Sequence, residues 1–268
     1  MTYDKPQVMG IINMTDDSFY ASSRADTAAL AVEKAEAMLA EGADILDIGG
    51  CSTRPGCKVA DEDTEIARVI PAIRAISVRF PQATISVDTF RARVAEMAAD
   101  AGARIINDIS GGDFDNEMFP TAARLGIPYI LMHTKGMPDE MVANAVYGDV
   151  TKEVIGHLSQ RLERLKDMGV KDVIVDPGFG FAKNTDQNFQ LLRDLKEFKK
   201  LGCPVLAGIS RKGMVWKTLG ITPEEALNGT TVLNTLALIG GADILRVHDV
   251  RAAVEAVRLV GLAGYTGN

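Results

Sequence analysis

Eight short apolar segments, each followed by a longer helical pattern, recur along this 268-residue chain and constrain its fold more than any other feature. Each segment is rich in Ile, Val and Leu and nearly continuous in apolar character, which is typical of parallel strands buried on both faces. The predicted strands are Gln7–Asn13, Asp44–Gly50, Thr84–Thr89, Arg104–Ser110, Pro128–His133, Val173–Gly178, Pro204–Ser210 and Ile244–Asp249. Eight such units in a chain of this length predict a closed (β/α)8 TIM barrel.

Helical patterns fill the intervals between the strands. They cover Asp26–Glu41, Asp63–Arg79, Arg91–Ala101, Asn116–Leu125, Val150–Met168, Asp186–Lys200, Pro223–Ile239 and Arg251–Leu262. Several end at a glycine, the residue best suited to a left-handed helix C-cap: Gly42, Gly102, Gly126, Gly169, Gly202 and Gly241. The sequence G-A-D-I-L occurs at Gly42–Leu46 and Gly241–Leu245, and G-A-R-I-I at Gly102–Ile106 is a near copy. We therefore predict one helix-to-strand junction that is used repeatedly.

A single domain over residues 1–268 is the simplest organisation, because barrels of about 250 residues commonly form one domain. No Pro/Gly/Ser-rich linker or low-complexity tract marks a boundary. The alternative fold is an open doubly wound sheet, which would normally show a glycine-rich phosphate fingerprint after the first strand. Met9-Gly10-Ile11 is not such a fingerprint, so the barrel is favoured.

Charge and cysteine content limit the classes of partner. The net charge is −7, which argues against a nucleic-acid or anionic-membrane surface, since both need a basic patch. No apolar run reaches the roughly 20 residues of a membrane span, and the first residues lack a signal-peptide pattern. The three cysteines, Cys51, Cys57 and Cys203, are odd in number and lack the spacing of a redox or zinc pair. These features predict a cytoplasmic protein in a reducing compartment.

Polar side chains stand at the carboxyl end of almost every predicted strand, where barrel enzymes carry their chemistry. They are Asn13, Asp88, Thr89, Asn107, Asp108, His133, Asp176, Ser210, Arg211, Lys212, Arg246, His248 and Asp249, with Ser52-Thr53-Arg54-Pro55-Gly56 after the second strand. One such residue would suit an ordinary structural contact. A ring of them predicts a functional site, because buried charge costs several kcal/mol unless it is paired.

The ring contains two kinds of group. Carboxylate and amide groups suit the N–H donors on the edge of a planar heterocycle, and cationic groups suit a phosphate or pyrophosphate. The first kind comprises Asp88, Asn107 and Asp176, and the second comprises Arg54, Lys212, Arg246 and His248. The sequence thus predicts one site with a heterocycle half and an anion half.

Seven segments at these strand ends carry a family resemblance. They are Met9–Tyr20 (MGIINMTDDSFY), Asp47–Gly56 (DIGGCSTRPG), Ser86–Thr89 (SVDT), Ile106–Gly112 (INDISGG), Asp176–Lys183 (DPGFGFAK), Gly208–Lys212 (GISRK) and Arg246–Val250 (RVHDV). In these segments the chain resembles the dihydropteroate synthases, from Met9 to about Asp249. Each segment alone is weak, whereas all seven in order are highly specific.

The resemblance implies a (β/α)8 barrel, a homodimer and a sulfonamide target. It implies an Mg²⁺-dependent transferase of folate biosynthesis that condenses 6-hydroxymethyl-7,8-dihydropterin pyrophosphate with p-aminobenzoate. The implied pterin contacts are Asp88, Asn107, Asp176 and Lys212. Asn13, Arg246 and His248 form the implied pyrophosphate–Mg²⁺ group, with Asn13 as the metal ligand. Thr53, Arg54, Pro55, Phe181 and Arg211 form the p-aminobenzoate side. The implied catalytic residues are Asp88, Lys212, Arg54 and Arg246. The stretches Met14–Ala25 and Cys51–Asp61 correspond to two mobile loops of the family.

Three positions depart from the family pattern. Asp16 stands where proline is common, and Ala182 stands where glycine is common. Gly213 replaces a common serine and removes a hydroxyl expected near the p-aminobenzoate carboxylate. These departures bear on loop closure and on p-aminobenzoate and sulfonamide binding, and they leave the reaction class unchanged.

Other interpretations remain open at this stage. A pterin-binding methyltransferase shares the barrel, but S-T-R-P-G and S-R-K suit an anionic leaving group and a second substrate. A non-catalytic pterin-binding homologue is less favoured, because the polar ring is complete. Lys212 as a Schiff-base lysine would need a lowered pKa, and charge pairing is preferred. His133 is interpreted as a structural hydrogen-bond donor and His157 as a solvated helix residue.

Overall fold

The computed structural model describes residues 3–14, 24–51, 59–141 and 143–265, which contain eight parallel strands and nine α-helices. The strands are β1 Gln7–Asn13, β2 Ile45–Gly49, β3 Thr84–Asp88, β4 Ile105–Asp108, β5 Tyr129–Met132, β6 Val173–Asp176, β7 Leu206–Ala207 and β8 Ile244–Val247. Their order in the sheet is β6-β5-β4-β3-β2-β1-β8-β7, and an isolated bridge between Val175 and Val205 joins the two ends. The prediction of a (β/α)8 barrel is confirmed.

The helices form the outer layer of the barrel. They are α1 Arg24–Ala40, α2 Glu62–Arg79, α3 Ala92–Ala101, α4 Met118–Leu125, α5 Val150–Asp167, α6 Thr185–Arg193, α7 Gly213–Leu219, α8 Leu227–Ile239 and α9 Val250–Leu262. Side chains begin several of them: Asp61 accepts the N–H of Thr64 at α2, and Asn184 and Gln187 form a capping box at α6. Within the described ranges, no helix combines the length and the apolar character needed to cross a bilayer.

The predicted boundaries differ from the structure mainly in the last third of the chain. The run Asp186–Lys200 was predicted as one helix, but α6 ends at Arg193 and a 3-10 helix follows at Leu195–Leu201. Leu195 and Phe198 are both buried there, and a spacing of three residues matches the 3-10 repeat. The predicted strand Pro204–Ser210 shrinks to two residues, because Pro204 has no N–H to donate and the chain turns after Ile209.

The barrel interior has an apolar floor and a polar upper layer. The floor is one cluster of inward side chains: Met9, Ile45, Ile105, Ile130, Ile174, Leu206 and Ile244. Side chains on a strand return to the same face every second residue. The next inward position after Ile45, Ile105, Ile174 and Ile244 is therefore Asp47, Asn107, Asp176 and Arg246, respectively. The floor supports a layer of buried charged and amide groups.

The repeated G-A-D/R sequence does form one type of junction at the opposite end of the barrel. The N–H groups of Ala43, Ala103 and Ala242 each donate to the carbonyl five residues earlier, at 2.8–2.9 Å. The aspartates of the two G-A-D copies then accept a backbone N–H near the start of a neighbouring strand, Asp44 from Val8 at 2.9 Å and Asp243 from Val205 at 2.7 Å. This end of the barrel is thus fixed by local geometry and leaves the other end for chemistry.

Candidate functional site

A branched ion pair lies at the centre of the polar layer. The Arg246 guanidinium donates from Nε to Oδ2 of Asp47 at 2.6 Å and from Nη2 to Oδ2 of Asp88 at 2.6 Å. Asp47 also accepts the side-chain N–H of Asn107 at 3.0 Å and is fully buried. Arg246 on β8 therefore ties β2 and β3 to its own strand, because each of these two strands delivers one of its partners.

Asp47 is a site residue that the sequence interpretation missed. It lies within the D-I-G-G segment, in the middle of β2 rather than at its end, so a search for strand-end residues passed over it. The period of two from Ile45 could have identified it, since that period places Asp47 inside the barrel. Its role is to hold Arg246 and Asn107 beneath the rim.

Burial sets the protonation behaviour of this cluster. Burial raises the pKa of Asp88, against the opposing pull of Arg246, and it raises the pKa of Asp176, against the pull of Lys212. Burial also lowers the pKa of Lys212 to about 8. Three carboxylates, Asp47, Asp88 and Asp176, here face two cations, Lys212 and Arg246. When all are ionised they carry one net negative charge, which favours a cation among them.

Lys212 reaches the rim from the segment between β7 and α7. Its Nζ donates to the carbonyl of Phe179 and lies 4.6 Å from the centre of the Phe181 ring. Both partners belong to the loop after β6, whose start is fixed by Asp176 Oδ1 accepting the N–H of Gly178 at 2.7 Å. The loop after β6 thus brings the buried carboxylate of Asp176 and the ammonium of Lys212 together.

We expect the pH profile of the reaction rate to show an alkaline limb that is set by Lys212. Its ammonium is protonated below a pKa of about 8, so kcat/KM for the anionic substrate should fall as the pH rises through that value. A pH profile of kcat/KM measures this limb. Lys212→Arg is the matched comparison, because guanidinium stays protonated throughout the range. A limb that persists at the same pH in Lys212→Arg would assign it to another group.

Ala182 occupies a backbone conformation that favours glycine. Its φ is +48°, in the left-handed region, although it is a buried alanine. The hydroxyl of Tyr147 donates to its carbonyl at 3.0 Å and helps to hold the strained turn. The departure from the family pattern noted at this position therefore has a conformational cost, on the order of 1 kcal/mol.

Ala182→Gly should consequently be nearly neutral for stability. Relief of the left-handed conformation, about 1 kcal/mol, offsets the lost methyl burial and the added chain entropy. Ala122→Gly in α4 is the matched control, since Ala122 is equally buried in ordinary helical backbone and should lose about 2 kcal/mol. Urea unfolding of both variants compares them, and equal losses would show that Ala182 is not strained.

Arg211 is turned away from the lumen. Its guanidinium makes two bonds of 2.8 Å to the carboxylate of Asp249 and donates to the carbonyls of Pro223 and Glu224 at 2.8 and 2.7 Å. Its backbone has a φ of +53°, and its N–H donates to Thr230 in α8. The structure thus shows Arg211 fixing the segment before Lys212, and its contact with p-aminobenzoate stays a prediction.

Asn13 and His248 lie at the rim on adjacent strands. Asn13 ends β1, and its side-chain amide forms no hydrogen bond with the described residues. The Nδ1 of His248 lies 3.1 Å from Oγ of Ser210, whose oxygen also accepts the His248 N–H at 3.1 Å. Both side chains lie at the same end of the barrel as Arg246, and their contact with an anion stays a prediction. Thr53, Arg54, Pro55 and Asp16 fall outside the described residues, as do most of the two predicted loops.

Three other polar residues, Asp108, His133 and His157, contact neighbouring protein groups. Asp108 faces away from the lumen and accepts the N–H groups of Ser110 and Gly112 at 2.8 Å. His133 is buried beneath the rim, as a structural residue would be. The prediction that His157 is solvated is wrong: its ring packs edge-on against His133 at 4.6 Å, and its Nε2 lies 3.7 Å from Asp113. The α5 helix turns this face towards the barrel.

Comparison with known proteins agrees with this geometry. The family model described as "Pterin binding enzyme" matches residues 9–248. The dihydropteroate synthase of Escherichia coli K12 is 41% identical over 95% of this chain and 90% of its own length.

Two solved structures are similar along nearly the whole chain. Dihydropteroate synthase of Yersinia pestis, solved with a sulfonamide drug complex, superposes with a TM-score of 0.92 at 38% identity, covering 98% of this chain and 96% of that one. The Xanthomonas albilineans enzyme in complex with 7,8-dihydropteroate gives 0.89 at 36% identity, covering 100% and 97%. This chain belongs to the pterin-binding enzyme family, among the dihydropteroate synthases.

Proposed function

We propose that this chain condenses 6-hydroxymethyl-7,8-dihydropterin pyrophosphate with p-aminobenzoate, releasing pyrophosphate and forming 7,8-dihydropteroate. The observation that carries this function is the Arg246 pair with Asp47 and Asp88, beside Asp176 and Lys212 at one rim. Carboxylates at these positions suit the N–H edge of a heterocycle, and the cations beside them suit its charged leaving group. The match to the family model spans residues 9–248 and so includes all of these positions.

The pterin would lie on the polar layer, above Asn107 and Asp47. A carboxylate can accept two parallel N–H bonds from an aminopyrimidine edge, and Asp176 is buried at the end of β6 with one oxygen engaged by Gly178. Lys212 and the amide of Asn107 provide donors for ring nitrogen and carbonyl acceptors. The floor of methionine, isoleucine and leucine side chains below is apolar and offers water no hydrogen-bond partners.

The chemical step breaks the bond between the pterin methylene carbon and the pyrophosphate oxygen, and the electron pair leaves with pyrophosphate. The ring delocalises the positive charge left on the methylene, so departure can precede attack. The amine nitrogen of p-aminobenzoate then forms the new C–N bond and loses a proton to solvent. Asp88 and Asp176 stabilise the cation electrostatically, while Arg246 and His248 face the departing anion.

Mg²⁺ fits the anion side of the site as part of the proposal. Mg²⁺ prefers oxygen ligands and is usually bound by few protein groups together with substrate phosphates. The amide oxygen of Asn13 is such a ligand, and it makes no other hydrogen bond with the described residues. Those residues also contain no group of three or more His, Cys, Asp or Glu side chains suited to a metal. When bound, the ion would neutralise charge on the leaving pyrophosphate.

A homodimer and a cytoplasmic location complete the proposal. The outer face of α8 exposes Val232, Leu236 and Ile239, which follow helical spacing and form an apolar stripe. A second copy of the chain would bury this stripe, and sedimentation of the protein with and without Leu236→Lys tests it.

The free cysteines Cys51 and Cys203 suit a reducing compartment. Sulfonamides would compete with p-aminobenzoate, whose shape they share.

The deciding experiment measures pyrophosphate release from the dihydropterin pyrophosphate with Mg²⁺, with and without p-aminobenzoate, and identifies the product by mass. Release that depends on p-aminobenzoate and yields 7,8-dihydropteroate supports the synthase. Slow release without p-aminobenzoate, accelerated by adding it, supports departure before attack. Tight pterin binding without release would instead favour a non-catalytic homologue, and neither binding nor release would overturn the proposal.

A further inference from the structure

A second lysine, Lys183, lies buried behind the loop that follows β6. Only 8% of its surface is exposed. Its Nζ donates to three backbone carbonyls, Phe181 at 2.9 Å, Gly178 at 3.0 Å and His133 at 3.3 Å, and lies 3.0 Å from Nδ1 of His133. A lysine this deeply buried is rare, because ordering and desolvating the ammonium are both costly. The reaction described above makes no use of it.

The acceptors of Lys183 show what it holds. Two of them, Gly178 and Phe181, are the third and sixth residues of the segment that begins at Asp176, and His133 ends the neighbouring strand region. The loop 177–182 has three residues with left-handed backbone, at Gly178, Gly180 and Ala182. The turn has a backbone bond of its own, from the Phe181 N–H to the Gly178 carbonyl at 3.1 Å, but it has no regular ladder, so side chains supply further donors to its carbonyls. Lys183 satisfies two of them from the protein side.

The opposite side of the same loop faces Lys212. The Phe179 carbonyl accepts the Lys212 ammonium, and the Phe181 ring lies beneath it. Gly180 packs so closely against the Lys212 stem that an added Cβ would come within 3.1 Å of it. A shift of the loop by a fraction of an ångström would therefore move Lys212 directly. Lys183 and Lys212 therefore contact the loop 177–182 from opposite sides.

We propose that Lys183 is a positioning residue of the active site, which fixes the loop 177–182 so that its carbonyl and its aromatic ring hold Lys212 at the rim. The proposal rests on the function proposed above and adds a residue to it. The arrangement of the acceptors suits a lysine, because three carbonyls and the Nδ1 of His133 surround one terminal nitrogen. His133 contributes a neutral ring, because burial and the neighbouring Lys183 charge lower the pKa of His133 far below its ordinary value.

Lys183→Met tests the proposal, since methionine retains much of the length and removes every donor. Misplacement of the loop should lower kcat/KM for the dihydropterin pyrophosphate by about 100-fold. It should also admit water to Lys212, which faces Asp176, Asp88 and Arg246. Loss of burial then raises the pKa of Lys212 towards its ordinary value, so the alkaline limb of the pH profile moves to higher pH. A residue that only stabilised the fold would lower Tm and leave this limb in place.

Controls separate the possible failures. Lys171→Met removes an exposed lysine near β6 and should leave kcat/KM and the limb unchanged. A folded Lys183→Met protein with unaltered kcat/KM and limb overturns the positioning role. If Lys183→Met does not fold, Tyr147→Phe removes the bond to the Ala182 carbonyl and must move the limb in the same direction, or the inference fails. If the unmodified protein binds but does not turn over, the proposed function fails, and calorimetric affinity for the dihydropterin pyrophosphate, weaker in Lys183→Met, decides the role of Lys183.

Discussion

Replacement of Asp88 by asparagine is expected to lower kcat by about 100- to 1000-fold, with a much smaller change in binding of the pterin pyrophosphate. Asparagine keeps the size and one oxygen of the side chain, so contacts with the ring are largely retained. It removes the negative charge that stabilises the cationic intermediate, which exists only after pyrophosphate begins to leave. Single-turnover measurement of pyrophosphate release separates this chemical step from binding.

Asp243→Asn provides the matched control for Asp88→Asn. Asp243 also pairs with a cation, Lys199 at 2.7 Å, and accepts the N–H of Val205, but it lies at the opposite end of the barrel. The control should reduce stability and leave kcat unchanged. A change confined to KM in Asp88→Asn would contradict the electrostatic role and leave Asp88 as a binding group alone.

Arg246→Met should destabilise the folded protein by about 3–5 kcal/mol, the loss typical of a buried ion pair from which one partner is removed. Asp47 and Asp88 would remain buried without the guanidinium that now contacts both. Activity should be lost as well, because the cation facing the pyrophosphate is gone. Urea unfolding measures the first effect, and product formation measures the second.

The stability loss in Arg246→Met should depend on pH in a defined direction. Arg246 opposes the burial that raises the pKa of Asp88, so its removal raises that pKa further. The folded state then binds more protons than the unfolded state, and stability falls as the pH rises. The deficit should be smaller at about pH 6 than at about pH 9. Arg246→Lys is the matched control, since it retains the charge, and a deficit independent of pH would contradict the assignment.

The sequence predicts the barrel well because its signals are local. Apolar runs mark seven of the eight strands to within two residues at either end. The eighth, β7, is shorter than its apolar run, because Pro204 and the turn after Ile209 interrupt pairing, and hydrophobicity does not report pairing. The 3-10 helix after α6 likewise required the tertiary packing of Phe198, which a helical pattern cannot distinguish from a continuing helix.

The sequence could predict which residues form the site better than it could predict which of them contact each other. Family motifs identify Asp88, Asn107, Asp176, Lys212 and Arg246, and the strand ends bring them to one rim. The partner of each charge was not predictable, because pairing depends on which side chains the barrel curvature brings together. Asp47 and Arg246 are 199 residues apart, and nothing local in either segment indicates the bond between them.

The isolated bridge between Val175 and Val205 makes one of the eight strand interfaces much weaker than the others. Asp176 ends β6 on one side of this seam, and on the other side Lys212 follows β7 and Arg246 lies on β8. Local opening of the barrel would therefore begin where the substrate is held. A pterin that contacts groups on both sides would therefore hold β6 and β7 together, where the backbone provides only an isolated bridge.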